Sequence, residues 1–231
     1  MARRVTRRIR SSRYHALNEL DTKLESYLDI DGGFFVEAGA NDGIDQSNTA
    51  YFERRRGWSG VLIEPIPRLA EQCRANRPRS IVIETALVES DFPLSTIEMT
   101  DCGLMSSVMG AMRDETARAE HLRVGAEIQG LSPVNLVVRA RTLDSILDQV
   151  KPDRFDLLSL DVEGFELQVL RGIDLHRWAP KFVLVEARFR DEIDTHMLGT
   201  GYKMIEELSH HDVLYRRGDL TRTFTPTENA P

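Results

Sequence analysis

Short apolar runs punctuate the chain at 34–36, 61–63, 81–83, 157–160 and 182–185, and each stops on or near a carboxylate: Glu37, Glu64, Glu84, Asp161 and Glu186. They are β-branched or leucine-rich and lack polar alternation, the pattern of strands buried on both faces. Between them, helical spacing falls at 47–56, 66–76, 142–149 and 163–171. Strand and helix therefore alternate, which predicts an α/β fold: a Rossmann-like, doubly wound, mostly parallel sheet with right-handed crossovers. The end of the chain departs from this rhythm. "YKMIEEL" and "DVLYRR", separated by "SHH", predict a closing antiparallel hairpin. An interruption at 89–141, with "CGLMSSVMGAM" and the strand-like "VNLVVRA", reads as an inserted lid over the carboxyl ends of the strands, where open α/β sheets bind ligands. The expected organisation is a basic arm and N-terminal helix at 1–30 (the helix over 14–28), one domain over 31–218, and a disordered tail at 219–231.

Composition narrows the setting. A chain of 231 residues, 41% hydrophobic, suits one large domain, and no stretch is apolar enough for a membrane span or a secretory leader. The expectation is a soluble, cytoplasmic protein, with Cys73 and Cys102 unpaired. The net charge of −7 conceals an asymmetry: residues 1–13 hold six arginines and no acid, so 24 of the 30 Lys and Arg face all 37 Asp and Glu elsewhere, a balance of −13. An arm of this kind can touch nucleic acid or an anionic membrane surface, although the commoner case is a solvated tail leading into a helix, and the acidic body is poor ground for a nucleic-acid enzyme.

The turn after the first strand, "FFVEAGANDG", selects the ligand. A dinucleotide fold needs G-x-G-x-x-G so that backbone N–H groups approach a pyrophosphate. Here only Gly39 and Gly43 remain, and Asp42 and Asp45 put negative charge where the phosphates would lie. A nicotinamide-dependent oxidoreductase is thus the weaker reading. S-adenosylmethionine has no phosphate and carries an ammonium and a sulfonium, so Glu37 at a strand tip would suit its cation. Glu64, followed by Pro65 in "GVLIEP", would accept both ribose hydroxyls.

Four blocks in order, "VEAGANDGIDQSNTAYFE", "GWSGVLIEPIP", "RTLDSIL" and "LLSLDVEGFELQVLRGI", resemble the FkbM-type family of S-adenosylmethionine-dependent methyltransferases, over about 33–217. The resemblance implies O-methylation of a hydroxyl on a sugar, polyketide or related small molecule or glycan. It also implies that Glu37, Gly39, Asn41 and Gly43 line the methionine end, that Ser47, Asn48 and Thr49 open the helix beneath, and that Glu64 holds the ribose. "ETALVE" departs from the family's pattern at Glu84 and Thr85, the residues expected near the adenine.

The acceptor chemistry is expected from "SLDVEGFE". An aliphatic hydroxyl needs a base or a metal to become nucleophilic. Asp161 ends its strand beside the strand that ends in Glu186, so the two carboxylates should converge, either sharing a proton as general base or holding a divalent cation such as Mg²⁺ or Mn²⁺. Glu163 is a further catalytic candidate, although an acid there also suits a helix N-terminus. His210, in the terminal turn, could serve as base, but turn histidines are commonly solvated. Met99, Met105, Met109 and Met112 would give the lid a pliable core. The serines 106 and 107 lack a histidine partner by spacing. No Asn/Asp-Pro-Pro-Tyr stretch follows the fourth strand, which argues against methylation of an adenine amine.

Overall fold

The computed structural model describes residues 15–102, 106–108, 123–124, 127 and 133–218. The arginine-rich arm, Met105, Met109, Met112 and the C-terminal tail lie outside the described residues. A 3-10 turn (Leu17–Glu19) and helix α1 (Leu20–Glu25) stand where one longer helix was expected. Asn18 and Glu19 adopt left-handed backbone, with φ of 53° and 58°, and interrupt it.

The elements that follow are β1 (Phe34–Ala38), α2 (Ala50–Arg56), β2 (Ser59–Ile63), α3 (Pro67–Asn76), β3 (Ile81–Ile83), β4 (Ala86–Leu87), β5 (Thr96–Asp101), β6 (Ser107–Val108) and β7 (Val134–Arg141). The second half contributes α4 (Leu143–Val150), β8 (Leu157–Leu160), α5 (Glu166–Arg171), α6 (Leu175–Trp178), β9 (Phe182–Glu186), α7 (Arg190–Gly199), β10 (Tyr202–Glu207) and β11 (Asp212–Arg217). Seven strands make the main sheet in the order β10-β11-β9-β8-β1-β2-β3. β3, β2, β1, β8 and β9 run parallel, while β11 pairs antiparallel with both β9 and β10. This is the class I methyltransferase arrangement, with its parallel sheet closed by an antiparallel hairpin.

Period-two alternation explains why the parallel strands read as continuous apolar runs. Val36, Ala38, Val61, Ile63, Leu158, Leu160, Val183 and Val185 pack into the core on one face of the sheet, against α4, α5 and α7. Phe35, Leu62, Leu157 and Leu184 pack into a second core on the other face, against α1 and α2. Both faces are covered, so neither position can be polar without a partner.

The inserted region builds a second, smaller sheet, β4-β7-β5-β6, in which β5 and β7 pair antiparallel from Thr96↔Arg139 to Asp101↔Val134. It begins earlier than the expected residue 89, because Ala86 and Leu87 already pair with Ala140 and Arg141 of β7. Among the described residues, no helix is long and apolar enough to cross a membrane.

Candidate active site

A cleft opens at the carboxyl ends of β1, β2 and β8, between the main sheet and the smaller one, with about 890 Å³ of open space including its mouth. Its floor comes from the strand tips and its opposite wall from Met99, Ser106 and Val108. Gly39, Asn41, Ser47, Glu64, Pro65, Thr85, Asp161 and Glu163 of the sequence-derived set line it.

The β1–α2 turn is pressed against the end of β8. The backbone N–H of Asp161 donates to Ala38 O at 3.1 Å. Gly39 has φ of 81°, and a Cβ there would stand 1.8 Å from the carbonyl oxygen of Asp161. Glycine is therefore required both for its backbone angle and for the close approach of the two strands. Glu64, at the tip of β2, ties the same turn from the other side: it accepts from the backbone N–H of Asn41 and of Ile66, each at 2.9 Å. Burial pushes its carboxyl up to about 7, against the opposing effect of those two bonds. One N–H on each oxygen leaves further acceptor capacity toward the cleft.

Glu37 lies outside the cleft lining, in another place than the one expected. Alternation sends its side chain to the Phe35 face, away from the cleft lining, where it accepts from Ser47 Oγ (3.1 and 2.9 Å), the Asn48 N–H (2.7 Å) and Thr49 Oγ1 (2.6 Å). Arg77, fully buried, lies 3.9 Å from it. That guanidinium also donates to Glu53 (2.6 Å), Gly43 O (3.0 Å), Ser47 Oγ and Thr49 Oγ1 (both 3.1 Å), and sits over the Phe35 ring. Glu37 and Arg77 together form a buried polar core that shapes the turn from beneath; Gly43 belongs to this layer too. Glu84 is likewise outside the lining and pairs with Arg74 at 3.1 Å on the surface. Thr85 lines the cleft, but its hydroxyl donates to Arg139 O at 3.0 Å, tying the connection between β3 and β4 to β7.

At the tip of β8, Asp161 and Glu186 do meet. Asp161 is exposed and lines the cleft. Its carboxyl is held well above the usual range, first by desolvation and then by the charges of Glu186, Glu163 and Glu166, with a hydrogen bond to Glu186 adding to the effect. The metal expected as one relief for this repulsion has a substitute that the sequence reading missed: Arg188 bonds Glu163 and approaches Glu186 at 3.3 Å. Among the described residues, no group of three or more His, Cys, Asp or Glu is arranged to hold a metal. Beside Asp161 and Glu186, the Arg188 guanidinium places a positive charge within the acidic cluster. His210 is exposed in the β10–β11 turn, its ring edge-on to that of His211, and does not line the cleft.

Comparison with known proteins adds the family. The model of the methyltransferase FkbM domain matches residues 37–215, well over half of the chain. The chain belongs to the FkbM family of S-adenosylmethionine-dependent methyltransferases. Among curated proteins, the methyltransferase sdnD of Sordaria araneosa is 27% identical to this FkbM domain over 175 residues, covering 63% of this chain and 62% of its own length. The chain thus spans less than two thirds of that relative. A solved methyltransferase FkbM from Methylobacillus flagellatus KT is 14% identical, with a TM-score of 0.48, covering 86% of this chain and 53% of that one. A methyltransferase from Thiobacillus denitrificans, solved with S-adenosyl-L-homocysteine, is 12% identical, with a TM-score of 0.40, and covers 85% of this chain and 69% of its own.

The lining of the FkbM domain suits the family's cofactor, S-adenosylmethionine. Glu64 offers spare carboxylate acceptors, and Ile63, Ile66, Leu69 and Leu87 add apolar surface to the lining. Acids rather than bases surround the remaining space, as a sulfonium and an ammonium require.

Proposed function

We propose that this domain transfers the methyl group of S-adenosylmethionine to a hydroxyl of a small molecule or glycan, with Asp161 as general base. The observation that carries this reading is the Asp161 carboxyl itself, which lines the cleft with Glu64 and, by desolvation there and by the charges of Glu186, Glu163 and Glu166, is disposed to take up a proton.

The cofactor, when bound, supplies an electrophilic methyl carbon on a positively charged sulfur. The chain's residues do the rest. Glu64 holds the ribose hydroxyls. The Gly39–Asn41 backbone and Ser47 border the methionine end, and Asp161 faces the cation in the role first assigned to Glu37. The wall of Met99 and Val108 excludes water from the acceptor. Asp161 takes the acceptor's proton at a carboxyl oxygen, Glu186 shares that proton through their hydrogen bond, and Arg188 keeps the surrounding acids from repelling one another. A base of raised proton affinity is what a hydroxyl requires, whereas a neutral amine is nucleophilic already.

The test is a mass-spectrometric screen of hydroxylated sugars and polyketides with methyl-labelled cofactor. One labelled methyl on an acceptor oxygen is expected. Transfer only to nitrogen in a panel containing both acceptor types would overturn the reading.

A further inference from the structure

Two of the cleft's carboxylates ride on one turn, residues 161–164, between β8 and α5. The turn is tightly wound: Glu163 has φ of 56° and Gly164 of 97°. Holding a non-glycine residue in the left-handed region costs roughly 1–3 kcal/mol and needs a compensating contact.

Glu166 provides it. Its Oε1 accepts the backbone N–H of Val162 at 3.1 Å and of Gly164 at 3.0 Å, reaching back over the turn from the first residue of α5. The N-cap residue, Phe165, gives the helix no side-chain cap. A serine or aspartate cap would satisfy a helix start at small cost. Here, instead, a fully buried carboxyl does so, and its Oε2 has no hydrogen-bond partner. Burial pushes that carboxyl up to about 7. A buried acid with an idle oxygen, beside Asp161, Glu163 and Glu186, is a costly choice for a cap alone. The same grip, however, sets where Asp161 and Glu163 stand.

We propose that Glu166 is a positioning residue for methyl transfer, acting through the 161–164 turn to hold Asp161 and Glu163 at the cleft. This rests on the reading of Asp161 as the base beside the transferred methyl.

The test needs no acceptor. Sinefungin carries an amine where the transferred methyl stands, so its affinity relative to S-adenosylhomocysteine reports the negative field at that point. Calorimetric Kd values are measured for both ligands on the full chain, with folding checked by circular dichroism. Glu166→Gln keeps an acceptor for the two N–H groups, so its affinity ratio should lie closer to the unmodified protein's than that of either variant that releases the turn, the remaining drop being the lost Glu166 charge. Glu166→Ala and Glu166→Asp release the turn and should each cut the preference for sinefungin by about tenfold, the worth of one charge-assisted contact, while S-adenosylhomocysteine stays within about threefold. If the alanine variant does not fold, the Asp and Gln pair carries the same contrast. An unchanged ratio in the folded Ala or Asp variant overturns the positioning role and leaves the cofactor reading intact. Equal loss of both ligands in Gln and Asp alike also overturns it, as a fold effect. An unmodified protein that binds neither ligand sinks both readings.

Discussion

Glu37 and Glu64 show how two acids, each at or beside a strand tip, end in different settings. Glu37 is spent on three donors, the Ser47 and Thr49 hydroxyls and the Asn48 N–H, and on its approach to Arg77, whereas Glu64 keeps acceptor capacity at the cleft. Glu37→Ala should therefore act on stability: breaking a buried ion pair costs about 3–5 kcal/mol, read as a lower urea midpoint. Glu64→Ala should act on binding, with a loss of about 1.5–3 kcal/mol in S-adenosylhomocysteine affinity by calorimetry. The reverse assignment of the two effects would show that the carboxylates had been given each other's roles. The pH dependence separates the same two quantities. Glu64 and Glu166 both sit near 7 in the folded protein, against 4.5 for an ordinary glutamate. Between these values the folded state holds protons that the unfolded chain has released, so these groups make stability fall as pH rises through the window. Ribose hydroxyls donating to Glu64 favour its ionised form, so ligand affinity moves the other way. The ligand-free melting temperature should be higher at about pH 6 than at about pH 7.5, while the increase produced by S-adenosylhomocysteine should be smaller at the lower pH. A ligand-induced increase that is flat across this range would contradict the role of Glu64.

At the scale of elements, the parallel strands were legible because each is sealed on both faces and had to be apolar throughout. The helix α7 was not, since only Ile193 and Met197 are buried on it and no stripe marks it out. The smaller sheet was half legible. "VNLVVRA" looked like a strand, but its partner β5, "TIEMTD", is short of apolar residues because Thr96 and Glu98 are exposed. The cleft's lining was legible where a strand ends on an acid, as at Glu64 and Asp161, and the contacts were illegible where partners are distant in sequence. Nothing near Glu37 announces Arg77, 40 positions on, and Arg188 acquires its meaning only when β8 and β9 lie side by side. The joint between β1 and β8 yields a further expectation. Gly39→Ala must accept a left-handed backbone, costing about 1–2 kcal/mol, and also displace the Asp161 carbonyl. Its melting temperature should fall and its affinity for S-adenosylhomocysteine should drop with it; a variant indistinguishable from the parent in both would show that the approach of the two turns is looser than described.

Over the whole molecule, one sheet face is anchored by α1 and α2, the other by α4, α5 and α7, and the smaller sheet closes the open end above the strand tips. That layout concentrates negative charge at the cleft, with Arg188 as the fixed counter-charge inside the acidic cluster. It follows that turnover should survive chelation by EDTA, since the positive charge is covalently part of the chain. The most direct test compares the unmodified protein with Asp161→Asn on the acceptor that the labelled-cofactor screen identifies. The predicted result is label on the acceptor oxygen, a rate about 10²–10⁴-fold lower in Asp161→Asn, and cofactor affinity that changes far less than the rate. Equal turnover by the two proteins, with the label on oxygen in both, would contradict Asp161 as the base.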